Sequence, residues 1–377
     1  MENNNGKKIS HKIINVLGLK IIDLYIIRKF LGTFVYSIVL ILAIAVIFDL
    51  SEKIDDFIES SAPAREVVLD YYLNFIPYFA VLFSSLFTFI SVIFFTSKMA
   101  YNTEIIAILS SGVSFRRLLL PYFISASIIT IFAFSLSNFV IPKANKTKLE
   151  FEEKYIHKRP QTFSRKNIHK QIEPGVFIYL ESYSTASRTG YNFSMEKFEE
   201  GRLVSKLMAD QISWDTAKNN WTMRRYYIRD MHGLRETISE GATKDTFLKI
   251  SPADFSRRLN AVEAMSFTEL NEFIEVSKMQ GETNLTVYLI ERYKRTAFPF
   301  STFILTLIGV TVSSKKVRGG IGTQLGVGLG VSFAYILFMQ FSSQFAIGGS
   351  LPPLLAVWLP NMIFAVIALF LYKMAPK

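Results

Sequence analysis

Catalysis needs reactive side chains held close together, and this chain offers few. Its four histidines, His11, His157, His169 and His232, are scattered. None lies in an H-E-x-x-H or other paired spacing that would hold a metal. There is no cysteine, which removes thiolate ligands, thiol nucleophiles and disulfides. No G-x-x-x-x-G-K-[ST] phosphate loop occurs, the only Gly-Lys step being Gly6-Lys7 in a polar tail. No G-x-S-x-G nucleophile elbow is present. The carboxylates of the middle of the chain fall among strand-like runs, where a solvated surface is their ordinary place. The chain is therefore expected to be no enzyme, to bind no cofactor or metal, and to draw energy for any work from a partner.

What the spacing does offer is recognition. The segment Lys98 to Gly112 places Glu104 in the first turn of a short helix, where its charge suits the helix dipole. Thr103 or Asn102 can cap that helix and Gly112 can end it. Ile105, Ile108 and Leu109 share one apolar face. Such a face fits a groove on a soluble partner or the lipid interface, and spacing alone divides the two evenly. Further on, Gly322, Gly326 and Gly330 recur every fourth residue. This small-x-x-x-small pattern lets a second helix approach closely, whether from within the chain or from another subunit.

Those residues need elements to hold them. Half of the residues are apolar, and they collect in runs long enough for a hydrocarbon core of about 30 Å, which takes about 20 helical residues. Six spans are expected: Phe30 to Leu50, Val67 to Thr96 with an interruption at Pro77, Leu118 to Ile141, Ala297 to Val312, Ile321 to Phe345, and Leu354 to Tyr372. Charges mark their ends, because an ionised group at mid-helix costs about 2.5–3.5 kcal/mol. Lys7, Lys8, Lys12, Lys20, Arg28, Lys29, Lys98, Arg116, Arg117, Lys315, Lys316, Arg318, Lys373 and Lys377 fall on one side. The short loop Ser51 to Glu66 on the other side is acidic. The positive-inside rule then puts both termini in the cytoplasm and the polar stretch between the third and fourth spans outside it. The net charge of +11 follows from these flanks, so nucleic acid is not an expected partner. Met1 to Lys12 is polar and the first apolar run is too long for a signal-peptide core, so no cleavable signal is expected.

The insert, about Pro142 to Arg295, reads as β over most of its length. Val176 to Leu180, Tyr191 to Phe198, Leu203 to Ala209, Gln211 to Trp214 and Trp221 to Ile228 are short strand-like runs. They are separated by Pro174-Gly175, Thr189-Gly190, Glu200-Gly201 and Lys218-Asn219-Asn220, a spacing that suits an antiparallel sandwich or open barrel. From Ser266 the period turns helical, with Ser266 and Glu269 placed as a capping box. The expected fold is thus a polytopic α-helical membrane protein with six transmembrane helices and an inserted all-β domain outside the cytoplasm, in the periplasm of a bacterium. The expected divisions are an amphipathic N-terminal segment 1–29, spans one to three at 30–141 with the cytoplasmic segment at about 98–117, the β insert 142–265, a helical connector 266–295, and spans four to six at 296–377.

The run Thr103-Glu104-Ile105-Ile106-Ala107 through Ser111-Gly112 resembles the cytoplasmic coupling segment of the lipopolysaccharide export permeases of the LptF/LptG type. Other pieces agree in order: Asp23-Leu24-Tyr25-Ile26 before span one, Ile141-Pro142 closing span three, Val176 to Glu181 as an early periplasmic strand, and Glu291 to Arg295 before span four. The likeness covers nearly the whole chain and implies that the inserted periplasmic all-β domain is jelly-roll-like. It implies a multi-pass protein of the bacterial inner membrane that pairs with a second, homologous permease and a cytoplasmic ABC ATPase dimer, which holds ATP and Mg. Together these would extract lipopolysaccharide and pass it to periplasmic bridge proteins of the LptC and LptA type.

By the same resemblance, Glu104, Ile105, Ala107, Ile108, Leu109 and Gly112 would dock on the ATPase. Gly322, Gly326 and Gly330 would form a sliding gate against the second permease. Lys53, Arg292, Lys294 and Arg295 would meet headgroup phosphates, if they do not simply snorkel at helix ends. Val176, Ile178, Leu180, Leu207, Ile212 and Trp214 would line a periplasmic lipid groove. Asp49, Glu52, Asp55 and Asp56 around Lys53 depart from the basic cluster that some members carry there. A membrane-anchored scaffold or sensor with a ligand-binding β domain is the rival reading. A four-span exporter of the macrolide type is disfavoured by the span count.

Overall fold

The protein was analysed as a computed structural model, which describes residues 19–156, 165–233, 235–252, 255, 259–282, 285–316 and 320–375. In chain order the helices are α1 (Ile21–Glu59), α2 (Ala64–Tyr101), α3 (Glu104–Ser110), α4 (Phe115–Ile156), α5 (Phe267–Met279), α6 (Leu285–Ser313), α7 (Gly320–Ile347) and α8 (Pro353–Lys373). All but α3 and α5 are long and apolar enough to cross a membrane. They contain the six expected spans and run past the expected ends. At 1.5 Å per residue α1 is about 58 Å long, well beyond the hydrocarbon core. It continues past Asp49 because Lys53, one turn on, pairs with that carboxylate at 2.8 Å.

Two prolines leave their helices unbroken. Pro77 lies inside continuous helix. A wider π turn at Val67–Tyr72 comes just before it, and the Asn74 side-chain amide donates to the carbonyls of Leu69 and Asp70, both at 3.0 Å. Ile141-Pro142 closes the third apolar run but does not break its helix. The π turn Leu136–Val140 precedes it, and the helix runs on to Ile156. A π turn widens the ladder just where the proline ring and its missing N–H would clash with an ideal helix.

The chain forms two compact units. The first holds α1, α2, α3, α4 as far as Lys148, and α6 from Leu289 onward with α7 and α8. In one cluster Ile26, Phe30 and Phe34 of α1 pack with Phe95 and Met99 of α2 and Leu118 and Tyr122 of α4. In another, Phe89 and Ile93 of α2 meet Leu305 and Ile308 of α6, Tyr335 and Met339 of α7, and Phe364 of α8. Hydroxyls and amides join the helices. The Ser85 and Ser301 hydroxyls lie 2.6 Å apart, the Tyr335 hydroxyl donates to Asn361 at 2.8 Å, and the Asn361 amide donates to the Ala297 carbonyl at 2.9 Å.

The second unit comprises Leu149–Tyr288 with the link Glu59–Ala62. Its strands β1 (Arg165–Glu173), β2 (Val176–Ser184), β3 (Thr189–Glu199), β4 (Arg202–Asp215), β5 (Asn220–His232) and β6 (Arg235–Thr246) form one antiparallel sheet in sequential order. The insert is β as expected, and its order is a meander. Leu203 to Ala209 and Gln211 to Trp214 are one strand, not two. The ladder skips Glu181, Asn192, Asp210 and Arg225 in a row across four strands. Inward positions therefore change parity there, from Leu207 and Ala209 to Ile212 and Trp214. Thr189-Gly190 is not a turn, because residues 185–188 make the turn and Gly190 sits in β3. A Cβ on Gly190 would stand 2.4 Å from Leu180 Cδ2, so glycine lets Leu180 cross the sheet face.

The inward face is covered by the segment after β6, which inserts Leu248, Ile250 and Phe255. Trp221 Nε1 donates to the Ile250 carbonyl at 2.8 Å and fastens that segment. The capping box forms at Ser266 and Glu269 as expected. At the far edge of the sheet, the Gln171 amide donates to the Gln280 carbonyl at 3.0 Å.

Candidate functional site

The candidate residues fall into four groups, which belong to separate places in the fold. The first is α3. Thr103 precedes it with φ at 61°, and its hydroxyl donates to the Asn102 carbonyl at 2.6 Å instead of capping the helix. Glu104 is tied elsewhere: it accepts from the Asn102 amide and from the Tyr25 hydroxyl of α1, both at 3.3 Å. Gly112, at φ 86°, ends the segment as expected.

The apolar face of α3 is turned the other way from a docking face. Ile105 is 1% exposed and Ile108 is buried with it in the chain's own core, and Leu109 is half-buried against the same cluster. A helix of seven residues between two spans buries its apolar side on the nearest apolar surface, which here is its own α1, α2 and α4. The outward face consists of Tyr101, Ile106, Ala107, Ser110 and Ser111, with Ile106 50% exposed.

Beside α3 lies a pair that local spacing could not reveal. Arg117 of α4 donates from both terminal nitrogens to the two oxygens of Asp23, at 2.8 and 2.5 Å. Asp23 is 2% exposed and also accepts from the Lys20 backbone amide at 2.7 Å. This two-pronged bond fixes the start of α1 to the start of α4.

The second group is the glycine stripe of α7. At Gly322, Gly326 and Gly330 no atom lies within 4 Å of the position a Cβ would take. Gly328 and Gly309 behave differently. A Cβ on Gly328 would stand 2.3 Å from Ile93, and one on Gly309 would stand 2.8 Å from Val92. Close packing inside the chain thus uses Gly309 and Gly328. The stripe at 322, 326 and 330 stays open on the face that also exposes Phe333, Leu337 and Phe341.

The third group is the basic residues. Lys53 is engaged with Asp49 and the Tyr71 hydroxyl, its ammonium 4.8 Å from the Tyr71 ring centre. Arg295 is buried and pairs with Glu291, one turn away, at 3.4 Å. Both are candidates for headgroup contact, and in the structure each is paired with a carboxylate of its own helix. Arg292, stacked 5.7 Å over Tyr293, and Lys294 remain half-exposed.

The fourth group is the inward face of the sheet. Ile178, Leu180, Leu207 and Ile212 are buried there, with Val176 and Trp214 half-buried. These positions share one face, in β2 by period-two alternation and in β4 through the change of parity at the unpaired Asp210. The face is not an open groove, because Leu248, Ile250 and Phe255 fill it. Tyr183 lies among them, fully buried, with no hydrogen-bond partner for its hydroxyl among the described residues. Burial pushes its pKa up to about 12, with Arg188 pulling the other way. Leu248, Ile250 and Phe255 lie outside any regular strand, and for that reason the sequence pattern did not single them out.

Two comparisons bear on these arrangements. A family model described as "Lipopolysaccharide export system permease LptF/LptG" matches residues 24–374, and so covers residues of both units. No match to a curated protein is found.

Proposed function

The chain belongs to the LptF/LptG family of lipopolysaccharide export permeases, and from that premise we propose that it is one permease half of an ATP-driven transporter. The transporter lifts lipopolysaccharide out of the inner membrane and passes it towards the outer membrane. In this reading a cytoplasmic ABC ATPase dimer, which holds ATP and Mg, docks on the outward face of α3. Ile106 and Ala107 supply contact, and Glu104 is braced from behind by Tyr25. A second, homologous permease packs along α1 and the open stripe Gly322, Gly326 and Gly330. Both termini are cytoplasmic and the β insert is periplasmic.

ATP-driven closing of the space between the two permeases squeezes the lipid out, and its acyl chains take the inward face of the sheet. To admit them, Leu248, Ile250 and Phe255 must lift, which breaks the hydrogen bond from Trp221. The bridge proteins of the LptC and LptA type receive the lipid next. Arg292 and Lys294 are the basic groups best placed for phosphate, because Lys53 and Arg295 already hold carboxylates.

The observation that carries this reading is the split among the glycines of close packing, Gly309 and Gly328 filled from within and the stripe of three left open. The test is purification of the tagged chain in mild detergent, with mass spectrometry and an ATPase assay on the eluate. Recovery of a nucleotide-binding subunit and a second six-span permease is the expected result. Recovery of this chain alone, without ATPase activity in several detergents, overturns the reading.

A further inference from the structure

Along the N-terminal part of α1, Tyr25, Arg28, Lys29, Gly32, Thr33 and Tyr36 fall on one helical face. Together with Phe94 of α2 they line a pocket of about 400 Å³. We propose that this pocket binds an anionic phospholipid, with its phosphate between Arg28 and Lys29 and an acyl chain in the slot beside Gly32. Three features carry the assignment.

The first is charge. Arg28 and Lys29 are exposed, and neither has a carboxylate within ion-pair distance among the described residues, whereas Lys53, Arg117 and Arg295 of the same unit each have one. The second is the engagement of the neighbouring polar groups. The Thr33 hydroxyl donates to the Lys29 carbonyl at 2.8 Å and the Tyr25 hydroxyl to Glu104 at 3.3 Å. The Lys29 ammonium lies 5.8 Å from the Tyr25 ring centre, a contact that leaves its N–H groups free to donate. The two cations are then the charged donors left for an incoming group, beside the Tyr36 hydroxyl, and guanidinium and ammonium both suit phosphate oxygens.

The third is shape. Nothing lies within 4 Å of where a Cβ on Gly32 would stand, and Tyr36 and Phe94 expose apolar walls beside that gap. Two cations without a carboxylate partner at the head of an apolar slot on a membrane helix match an amphiphile with a negative head. A soluble anion would leave the slot empty, and a zwitterionic lipid would bring its own cation against Arg28 and Lys29. The inference requires only that α1 lies in a membrane, so it stands or falls separately from lipid export.

The test uses the full chain in detergent, with native mass spectrometry after exposure to phosphatidylglycerol, to phosphatidylcholine with the same acyl chains, or to inorganic phosphate. Phosphatidylglycerol is expected to be retained several-fold over phosphatidylcholine. Arg28→Ala with Lys29→Ala lowers that retention by about fivefold for each charge removed. Gly32→Leu, which keeps both charges and suits an exposed helix position, lowers it as well. Arg116→Ala, an exposed cation outside the pocket, leaves it unchanged. Unaltered melting temperatures confirm that the variants are folded. Equal retention of the two lipids overturns the proposal. So does retention indifferent to Gly32→Leu, which would mark a diffuse basic band. Full competition by inorganic phosphate would mark an anion site without the lipid slot, and overturns it too.

Discussion

Helix α1 is more apolar than α6, yet over their most apolar eighteen residues α1 is 6% buried and α6 is 61% buried. In water the ranking would be reversed, because apolar surface is what drives burial. In a bilayer the lipid tails are as apolar as leucine, so close fit and hydrogen bonds bring helices together. α6 has the means for that: Ser301, Thr302, Thr306, Gly309, Thr311 and Ser313 are all buried. Along α1 the stretch Val35 to Phe48 is dominated by branched and aromatic apolar side chains, and the helix is held near its ends. Ile26, Phe30, Phe34 and the Asp23–Arg117 pair fasten one end, and Asp49, Lys53 and Tyr71 fasten the other.

If α1 depends on a few anchors while α6 depends on a whole face, the largest effect should come from cutting an anchor. Arg117→Leu leaves Asp23 buried with only the Lys20 amide, and a loss of about 3 kcal/mol is expected, read as a lower melting temperature in detergent. Adding Asp23→Asn should recover part of it. No change would mean that α1 is packed as α6 is.

Next comes the contrast within α3. Ile105→Ala removes a fully buried side chain and should cost about 2–4 kcal/mol. Ile106→Ala should change stability by less than about 0.5 kcal/mol and yet weaken co-purification of the ATPase. A third pair lies on α7. Gly328→Ala pushes into Ile93 and should cost about 1–3 kcal/mol. Gly326→Ala should leave the melting of the isolated chain unchanged and reduce recovery of the second permease.

The smallest effect concerns pH in the β insert. Lys218 and Thr222 hydrogen-bond Asp245 and hold its pKa below the ordinary 3.8. Arg229 does the same for Glu236. Stability from a depressed carboxylate is present above its unfolded pKa and is lost as the pH falls through the folded value. The β signal of the full chain should therefore melt at the same temperature from pH 8 to pH 5, and its melting point should fall only below the ordinary carboxylate range.

The spans were legible because long apolar runs carry their own signal, and the helix ends were not, because pairs such as Asp49 with Lys53 carry a helix beyond its apolar part. β1 and β6 escaped because they are polar; β6 in particular is exposed along nearly its whole length, so it has no alternation to read. β4 read as two strands because the unpaired position at Asp210 reverses which residues face inward. Glu104, Gly112 and the glycine stripe could be found from spacing. The burial of Ile105 and Ile108 could not, because an amphipathic helix has one apolar face and its sequence does not say what covers that face. Asp23 and Arg117 lie 94 residues apart, a pairing that only the fold supplies.

The central claim is that the bare faces of α1 and α7 meet a second permease and not lipid alone. A photoreactive phenylalanine analogue placed at Phe48 of α1 or Phe333 of α7, both exposed, tests it in intact membranes, with Met362 of α8 as the comparison site. Adducts the size of another six-span protein from Phe48 and Phe333, with lipid adducts from Met362, are the predicted result. Lipid adducts alone from all three positions would contradict the account.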